Sequence, residues 1–112
     1  MKRAPSTDDP DAPAELAALV DSARVVVFRS GLSDTRALEA WLARNGVDHR
    51  VVTMGMGAAA ERERFHRLRA WTGWNLLPLV FVRGRFVGGA DEFFAQAPDI
   101  AGPGTDPATP RR

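Results

Sequence analysis

The sequence predicts an α/β fold, a three-layer sandwich in which helices flank a central mixed four-stranded sheet. Two observations predict it. The first is the order of apolar patterns, which alternate between strand and helix and end in a hairpin and a last helix. The second is size, because 112 residues, 45% of them hydrophobic and 26% charged, suffice for one compact core. We therefore expect a single domain.

The first half of the domain has the pattern of a helix followed by a strand–helix–strand unit. Leucine and valine recur at helical spacing over residues 14–22, which predicts a short first helix. Residues 24–29, RVVVFR, are a β-branched run typical of a buried central strand. Apolar residues at i, i+3 and i+4 predict a helix over 34–45, which Gly46 ends because glycine accepts the left-handed conformation. Residues 49–54 form the second predicted strand.

The second half has the pattern of a helix, a β-hairpin and a last helix. Residues 58–71, AAAERERFHRLRAW, are strongly helical in composition, and Gly73 follows them. Strands 79–83 and 85–87 flank a glycine turn, and a short helix is predicted over 91–97. A parallel βαβ unit followed by a hairpin and a closing helix is the layout of the thioredoxin fold.

The two ends of the chain have a different composition from the domain. Residues 1–12 and 98–112 are rich in Pro, Asp, Gly and small polar residues, which bury too little apolar area to offset their ordering entropy. We therefore expect a disordered N-terminal tail over 1–12, a domain over 13–97 and a disordered C-terminal tail over 98–112.

Charge and hydropathy exclude several classes of partner. The formal net charge is +1, so no excess of positive charge favours nucleic acid or an anionic membrane surface. No stretch approaches the roughly 20 apolar residues of a spanning helix, and the N-terminal residues lack a signal-peptide pattern. We expect a cytoplasmic protein. The chain has no cysteine, which removes disulfides, thiolate nucleophiles and sulfur metal ligands together.

One stretch near the C-terminal end, residues 72–93, reads TGWNLLPLVFVRGRFVGGADEF. It holds Thr-Gly, then Leu76-Leu77-Pro78, an apolar strand, a glycine turn and Gly-Gly-x-Asp. This stretch resembles the glutaredoxin family, whose members carry these features in the same order without a gap, with Thr-Val-Pro at the Leu76-Leu77-Pro78 position. The resemblance extends over residues 24–97, and it implies a thioredoxin-like fold of the glutaredoxin type.

The resemblance places serine where family members have a reactive cysteine. Members carry Cys-x-x-Cys or Cys-x-x-Ser after a lysine, in the turn that follows the first strand. In the matching turn, FRSGLSDTR, Ser33 stands at the nucleophilic cysteine, Arg36 at the resolving position and Ser30 at the lysine. A helix N-terminus does not ionise a hydroxyl, and oxygen does not form the mixed disulfide of thiol exchange. We therefore expect no thiol–disulfide oxidoreductase activity, no iron–sulfur cluster and no metal site.

Ser33 has two interpretations that do not involve electron transfer. The first is structural, with Ser33 or Asp34 as the N-cap of the following helix. The second is a serine nucleophile, which needs a base. His49 and His66 are the two histidines, and nothing in the sequence places either beside Ser33. We favour the structural interpretation.

The resemblance also implies a glutathione site. In glutaredoxins the residue before the proline, here Leu77, pairs through its backbone with glutathione, and Pro78 follows a cis bond. The Gly-Gly-x-Asp segment, here with Gly89, Ala90 and Asp91, holds the γ-glutamyl end. The alternative is that Pro78 only shapes the loop and that Asp91 only caps the last helix.

The second long helix carries a cluster of arginines. In the family register the contact to the glycyl carboxylate falls at Phe65, with Arg64 and His66 alongside, so Arg64 is a candidate carboxylate ligand. The alternative is a solvated face with local Glu–Arg pairs. Trp41 is predicted to lie in the core, and Trp74 at the groove mouth or on a partner surface.

These observations favour a redox-inactive glutaredoxin-like domain that binds a protein partner or a small ligand at the former active-site edge. The GWNLLP loop over 73–78, with Gly31-Leu32 opposite it, would make that edge more apolar than in a redox glutaredoxin, which suggests a docking surface. The alternative is a transferase-like enzyme in which glutathione, or a related thiol, is a co-substrate oriented by Ser33. No cofactor is required, glutathione is the candidate ligand, and the oligomeric state is not predicted.

Overall fold

The computed structural model describes residues 5–55 and 57–96. The elements, in chain order, are α1 (Ala14–Val20), β1 (Val25–Ser30), α2 (Arg36–Arg44), β2 (His49–Met54), α3 (Ala59–Thr72), β3 (Leu79–Val82) and β4 (Arg85–Gly88). Residues 90–96 are also helical and are called α4. The predicted element order is therefore confirmed.

The strands form one mixed sheet in the order β2-β1-β3-β4. β1 runs parallel to β2 and antiparallel to β3, and β3 pairs with β4 as a hairpin. The first four residues of β1 are fully buried. The strand is uniformly apolar because helices cover the sheet on both faces.

Two apolar clusters lie on the two faces of the sheet. One joins Leu16 of α1 and Leu68 of α3 to Phe28 and Phe81 of the sheet. The other joins α2 and Phe93 of α4 to the opposite face of the same strands. The predicted three-layer, thioredoxin-like sandwich is thus confirmed, and it brings the carboxyl end of β1 and the loop before β3 to the same edge.

The ends of the elements follow local chemistry. β2 has the predicted bounds, and α3 ends at Gly73, whose φ of 73° is left-handed. The hairpin turns at Arg83 and Gly84, both with positive φ, as expected for a tight two-residue connection. α2 begins at Arg36, two residues later than predicted.

Residues 5–12 fall in the predicted disordered tail, yet they contact the domain. Ser6 forms a bridge with Arg85, and the Phe86 N–H donates to the Pro5 carbonyl over 2.8 Å. The Trp71 indole N–H donates to Asp9 over 3.4 Å. Backbone hydrogen bonds thus join the start of this segment to the β3–β4 hairpin, a contact that its composition does not predict.

Residues 1–4 and the predicted C-terminal tail over 98–112 lie outside the described residues. Within residues 5–55 and 57–96, no helix has the length and apolarity needed to cross a membrane.

Candidate functional site

The turn after β1 is closed by two serine hydroxyls. The Ser30 N–H donates to Ser33 Oγ over 3.1 Å, and the two hydroxyl oxygens lie 3.2 Å apart. The Leu32 N–H donates to Ser30 Oγ over 3.2 Å, and the Ser33 N–H to the Ser30 carbonyl over 3.1 Å. The hydroxyls therefore satisfy the backbone of a turn that projects Leu32 into solvent.

Of the two residues predicted to cap α2, Ser33 or Asp34, it is Asp34 and not Ser33 that contacts the start of the helix. The Ser33 hydroxyl faces back to Ser30, and the residue before α2 is Thr35, whose hydroxyl donates to Glu39 over 2.6 Å. The Arg36 N–H donates instead to Asp34 Oδ1 over 3.3 Å. Because the helix starts two residues later than predicted, Ser33 is too far from its first free N–H groups, and Asp34 takes the terminal contact.

Arg29 ties the turn to the sheet. One end of its guanidinium donates to the Ser33 carbonyl over 2.7 Å and the other to Thr53 Oγ1 over 3.3 Å. The position of Ser33 is thus fixed from β1 and β2 together, which gives the groove described below a rigid floor.

A charged pair lies on the outer side of the turn. Arg36 donates to both carboxylate oxygens of Asp34, over 3.0 and 3.1 Å. These side-chain hydrogen bonds, followed by the backbone bond and the charge of Arg36, lower the pKa of Asp34 to about 2. Both side chains are exposed, so the pair contributes little to stability.

A groove of about 410 Å³ lies on the inner side of the turn. It is lined by Ser30, Leu32, Ser33, Phe65, Asn75, Leu76 and Leu77. The structure thus brings Ser33 and Leu77 together, although 43 residues separate them in the sequence. Leu32 is 98% exposed and Leu76 68% exposed, so the rim is apolar while the floor carries two hydroxyls.

The loop before β3 continues from this groove toward α4. The Leu77–Pro78 peptide bond is cis, as the resemblance implies. A Cβ added at Gly89 would lie 3.4 Å from the Pro78 carbonyl oxygen and 3.8 Å from the Trp74 ring. Pro78 and Gly89 are therefore neighbours, and an added Cβ at position 89 would make ordinary van der Waals contacts with the loop.

Trp74 is partly buried and does not line the groove. Its ring packs edge-on against Phe86 at 5.6 Å and joins the cluster around Phe28. Trp41 packs against Phe93 at 5.3 Å, which confirms its prediction as a core contact. The exposed apolar surface at the groove comes from leucine instead of tryptophan.

The start of α4 is capped by a residue that the sequence analysis did not consider. Glu92 Oε1 accepts the Gly89 N–H over 2.9 Å, the second half of a capping box. The glycine-x-x-glutamate spacing is the signal that could have identified it. The side chain of Asp91 is exposed and makes no hydrogen bond within the described residues, and neither it nor the half-buried Ala90 lines the groove.

Arg64 points away from the groove. It pairs with Glu15 of α1 over 3.3 Å, and Arg67 pairs with the same carboxylate over 2.9 Å. From α3 the groove receives Phe65 instead. The structure therefore gives Arg64 a bridging role between two helices and does not bring it together with Ser33 and Leu77.

No histidine lines the groove. His49 Nδ1 lies 2.8 Å from the Val47 carbonyl, and His66 lies on α3 beside Phe65. Among the described residues, no group of three or more His, Asp or Glu side chains is arranged to hold a metal ion. Nothing in the groove is placed to activate Ser33 as a nucleophile.

The chain is similar to solved structures of glutaredoxins. No family model matches the chain, and no curated protein matches it. Among solved structures, a wheat glutaredoxin has 28% identity and a TM-score of 0.67, covering 80% of this chain and 84% of that one. The holo form of glutaredoxin C1 from Populus tremula x tremuloides has 25% identity and a TM-score of 0.66, with 77% and 85% covered.

A buckwheat glutaredoxin–glutathione complex has the same fold, with a TM-score of 0.67 and 22% identity over 77% of this chain and 78% of that one. The thioredoxin-like architecture is therefore common to all three structures and to this chain.

Proposed function

Because the chain is a glutaredoxin-like protein without cysteine, we propose that it is a redox-inactive binding module. Its ligand, a protein partner or a small molecule, occupies the groove between the serine turn and the Leu76-Leu77 loop. The observation that carries the proposal is the groove itself, a floor of two hydroxyls beneath a rim of exposed leucines, lined by Ser33 and Leu77.

The absence of sulfur supports the redox-inactive part of the proposal. Thiol exchange runs through a thiolate and a mixed disulfide, and the chain has no cysteine to form either. The hydroxyl at the matching position is engaged with Ser30 in the turn. Ser33 thus supplies polarity and shape to the groove but no electrons.

The exposed rim supports the binding part of the proposal. Leu32 and Leu76 are large apolar side chains that line the groove, and Leu32 is almost fully exposed while about two thirds of Leu76 is exposed. Exposed leucines occur singly on many surfaces, whereas a pair flanking a cleft forms a patch that a partner can cover. Covering it removes apolar surface from water at about 25 cal/mol per Å².

The second candidate function is a transferase-like enzyme that uses glutathione or a related thiol. The Ser30 and Ser33 hydroxyls, 3.2 Å apart in the groove, favour it because a hydroxyl can donate to a substrate thiolate. In this reading Ser33 orients the sulfur of the substrate and does not attack. Leu77, Pro78 and the Gly89–Asp91 segment would hold the tripeptide.

The proposal includes no required cofactor, no nucleic-acid partner and a cytoplasmic location. The near-neutral net charge supports the exclusion of nucleic acid. Glutathione is the small ligand to test first, since the groove lies at the edge where the fold presents Leu77 and cis-Pro78.

The first experiment is an amide-resolved NMR titration of isotope-labelled protein with reduced glutathione and with S-methylglutathione. Saturable shifts at Ser30, Ser33 and Leu77 with both compounds support the small-ligand form of the proposal, because binding needs no free thiol. Shifts with reduced glutathione alone favour the transferase-like reading. Saturable shifts confined to another surface contradict both.

If neither compound binds, the protein-partner form is tested by affinity capture from the organism of origin. We expect the Leu32→Asp, Leu76→Asp double variant to lose partners that the wild type retains, because the rim becomes charged. Arg44→Asp, an exposed change on α2 outside the groove, is the matched control. The same partners on the wild type and the double variant would contradict docking at the groove.

A further inference from the structure

The two edge strands of the sheet, β4 and β2, differ in whether their outer backbone groups are hydrogen-bonded. At β4, residues before α1 supply hydrogen bonds: the Phe86 N–H donates to the Pro5 carbonyl, and the Thr7 N–H donates to the Gly84 carbonyl. At β2, the residues described here form no ladder on the outer side. An open edge is a template for pairing with another strand.

The register fixes which residues of β2 face outward. The Val25 N–H donates to the Asp48 carbonyl over 3.1 Å, and Val25 stands opposite His49 in a parallel ladder. In such a ladder alternate residues bond to the neighbouring strand. The backbone groups of His49, Val51 and Thr53 therefore point away from β1, and none of them is hydrogen-bonded within the described residues.

Apart from the exposed Arg50, β2 lacks the features that usually protect an edge. It has six residues, no proline and no break in its register with β1. Half-buried valines lie on both of its faces, Val51 beside Trp41 and Val52 in the cluster with Phe65. A strand laid along this edge would cover both valines as well as the open backbone.

We propose that β2 pairs with β2 of a second copy of this chain, antiparallel about a two-fold axis at Val51. This inference goes beyond the proposed function and does not depend on the groove. In this register Val51 faces Val51 of the other copy and His49 faces Thr53, so all three outward residues exchange their hydrogen bonds. Arg50 faces Val52, and no like charges stand directly opposite.

Other registers leave more of the outward backbone groups of β2 without a hydrogen-bond partner. A two-fold axis at His49 sets the two histidines against each other and leaves Thr53 unpaired. An axis at Thr53 leaves His49 unpaired and sets Val51 against Gly55. The register centred on Val51 thus pairs all three outward residues of β2 with those of an identical strand. For this reason we infer that the strand bound at this edge is β2 of a second copy.

Single introduced cysteines test the register, because the chain has none of its own. Arg50 and Val52 would form a non-hydrogen-bonded pair with a Cα separation of about 4.5 Å, within the range of a disulfide. Arg50→Cys and Val52→Cys proteins are mixed in equal amounts, oxidised gently and analysed by mass spectrometry. We expect the mixed covalent dimer to exceed its statistical share of one half, whereas a share of one half or less would overturn the proposal.

The mass of the wild type in solution gives the second measurement. We expect twice the monomer mass, measured by light scattering at protein concentrations up to about 1 mM. Val51→Pro removes an outward N–H while leaving the β1–β2 ladder intact, so it should restore the monomer with an unchanged circular dichroism spectrum. A monomeric wild type throughout that range, or a Val51→Pro variant that is folded and still dimeric, would overturn the proposal.

Discussion

At the scale of single residues, Ser33 has a structural role in the turn, although it has no sulfur for thiol chemistry. Its hydroxyl accepts the Ser30 N–H and lies against the Ser30 hydroxyl, so it closes the turn at the end of β1. The sequence predicted the position of Ser33 in the turn. It did not predict its partner, because the choice between capping and turn closure depended on where α2 starts.

The Asp34–Arg36 pair is a second feature of this turn that a residue-level measurement can test. Arg36→Gln removes the side-chain hydrogen bonds that lower the pKa of Asp34, so that pKa should rise from about 2 toward 3.8. Carboxyl-detected NMR titration of both proteins checks this. A pKa of Asp34 that is unchanged in the variant would contradict the assigned cause.

The same pair sets the sign of a small pH effect on stability. The pKa of Asp34 is lower in the folded chain than in the unfolded chain. Its contribution is therefore complete above the unfolded pKa of roughly 4 and is lost as the pH falls toward 2. Because Asp34 and Arg36 are exposed, the change is small and salt-dependent.

Arg64 marks the limit of residue assignment from the sequence. α3 carries charged residues around most of its circumference, so periodicity did not show which face meets the groove. The structure resolves this through Glu15, which draws Arg64 and Arg67 toward α1 and leaves Phe65 at the groove.

At the scale of elements, strong local signals were sufficient for prediction and weak ones were not. The β-branched run of β1 and the left-handed glycine after α3 follow from local chemistry, and both elements lie where predicted within a residue or two. The start of α2 was misplaced because serine, aspartate and threonine in succession are all good capping residues.

The junction between β4 and α4 depends on Gly88. Its φ is 118°, and an added Cβ would lie 2.8 Å from Cβ and Cγ of Glu92, which are near the backbone and have little freedom to move. Gly88→Ala should therefore cost about 3 kcal/mol of the free energy of unfolding, through strain and displacement of Glu92. Urea unfolding checks the value.

Gly73→Ala provides the matched control. Gly73 also has a positive φ, 73°, but an added Cβ meets nothing within 4 Å. The variant should lower the free energy of unfolding by only about 1 kcal/mol, because the left-handed conformation is the sole penalty. Equal losses in the two variants would show that contact with Glu92 contributes nothing at Gly88.

At the scale of the whole molecule, the sheet joins features that lie far apart in the sequence. The layer order was predictable because a βαβ unit and a hairpin admit few arrangements. The pairing of residues 5–7 with β4 was not predictable, because backbone hydrogen bonds carry no compositional signal. The groove likewise exists only once β1 and the loop before β3 meet.

The proposed function separates recognition from thiol chemistry. The solved glutaredoxins and this chain have the same fold, and the resemblance places Ser33 where family members carry cysteine. A thiolate at position 33 would accept the Ser30 N–H and would lie near the Arg29 guanidinium, which donates to the Ser33 carbonyl; both favour the ionised form. The surroundings of Ser33 thus remain suited to a thiol that the sequence does not supply.

Restoring sulfur tests this most directly. The Ser33→Cys thiol should titrate about one pH unit or more below the thiol of Leu32→Cys, a control that is one residue away and fully exposed in the wild type. Thiolate absorbance followed against pH gives both pKa values, and mass spectrometry follows mixed-disulfide formation with glutathione disulfide. We predict preferential reaction of Ser33→Cys below pH 7 and none in the wild type, whereas equal pKa values and equal reaction rates in the two variants would contradict the account.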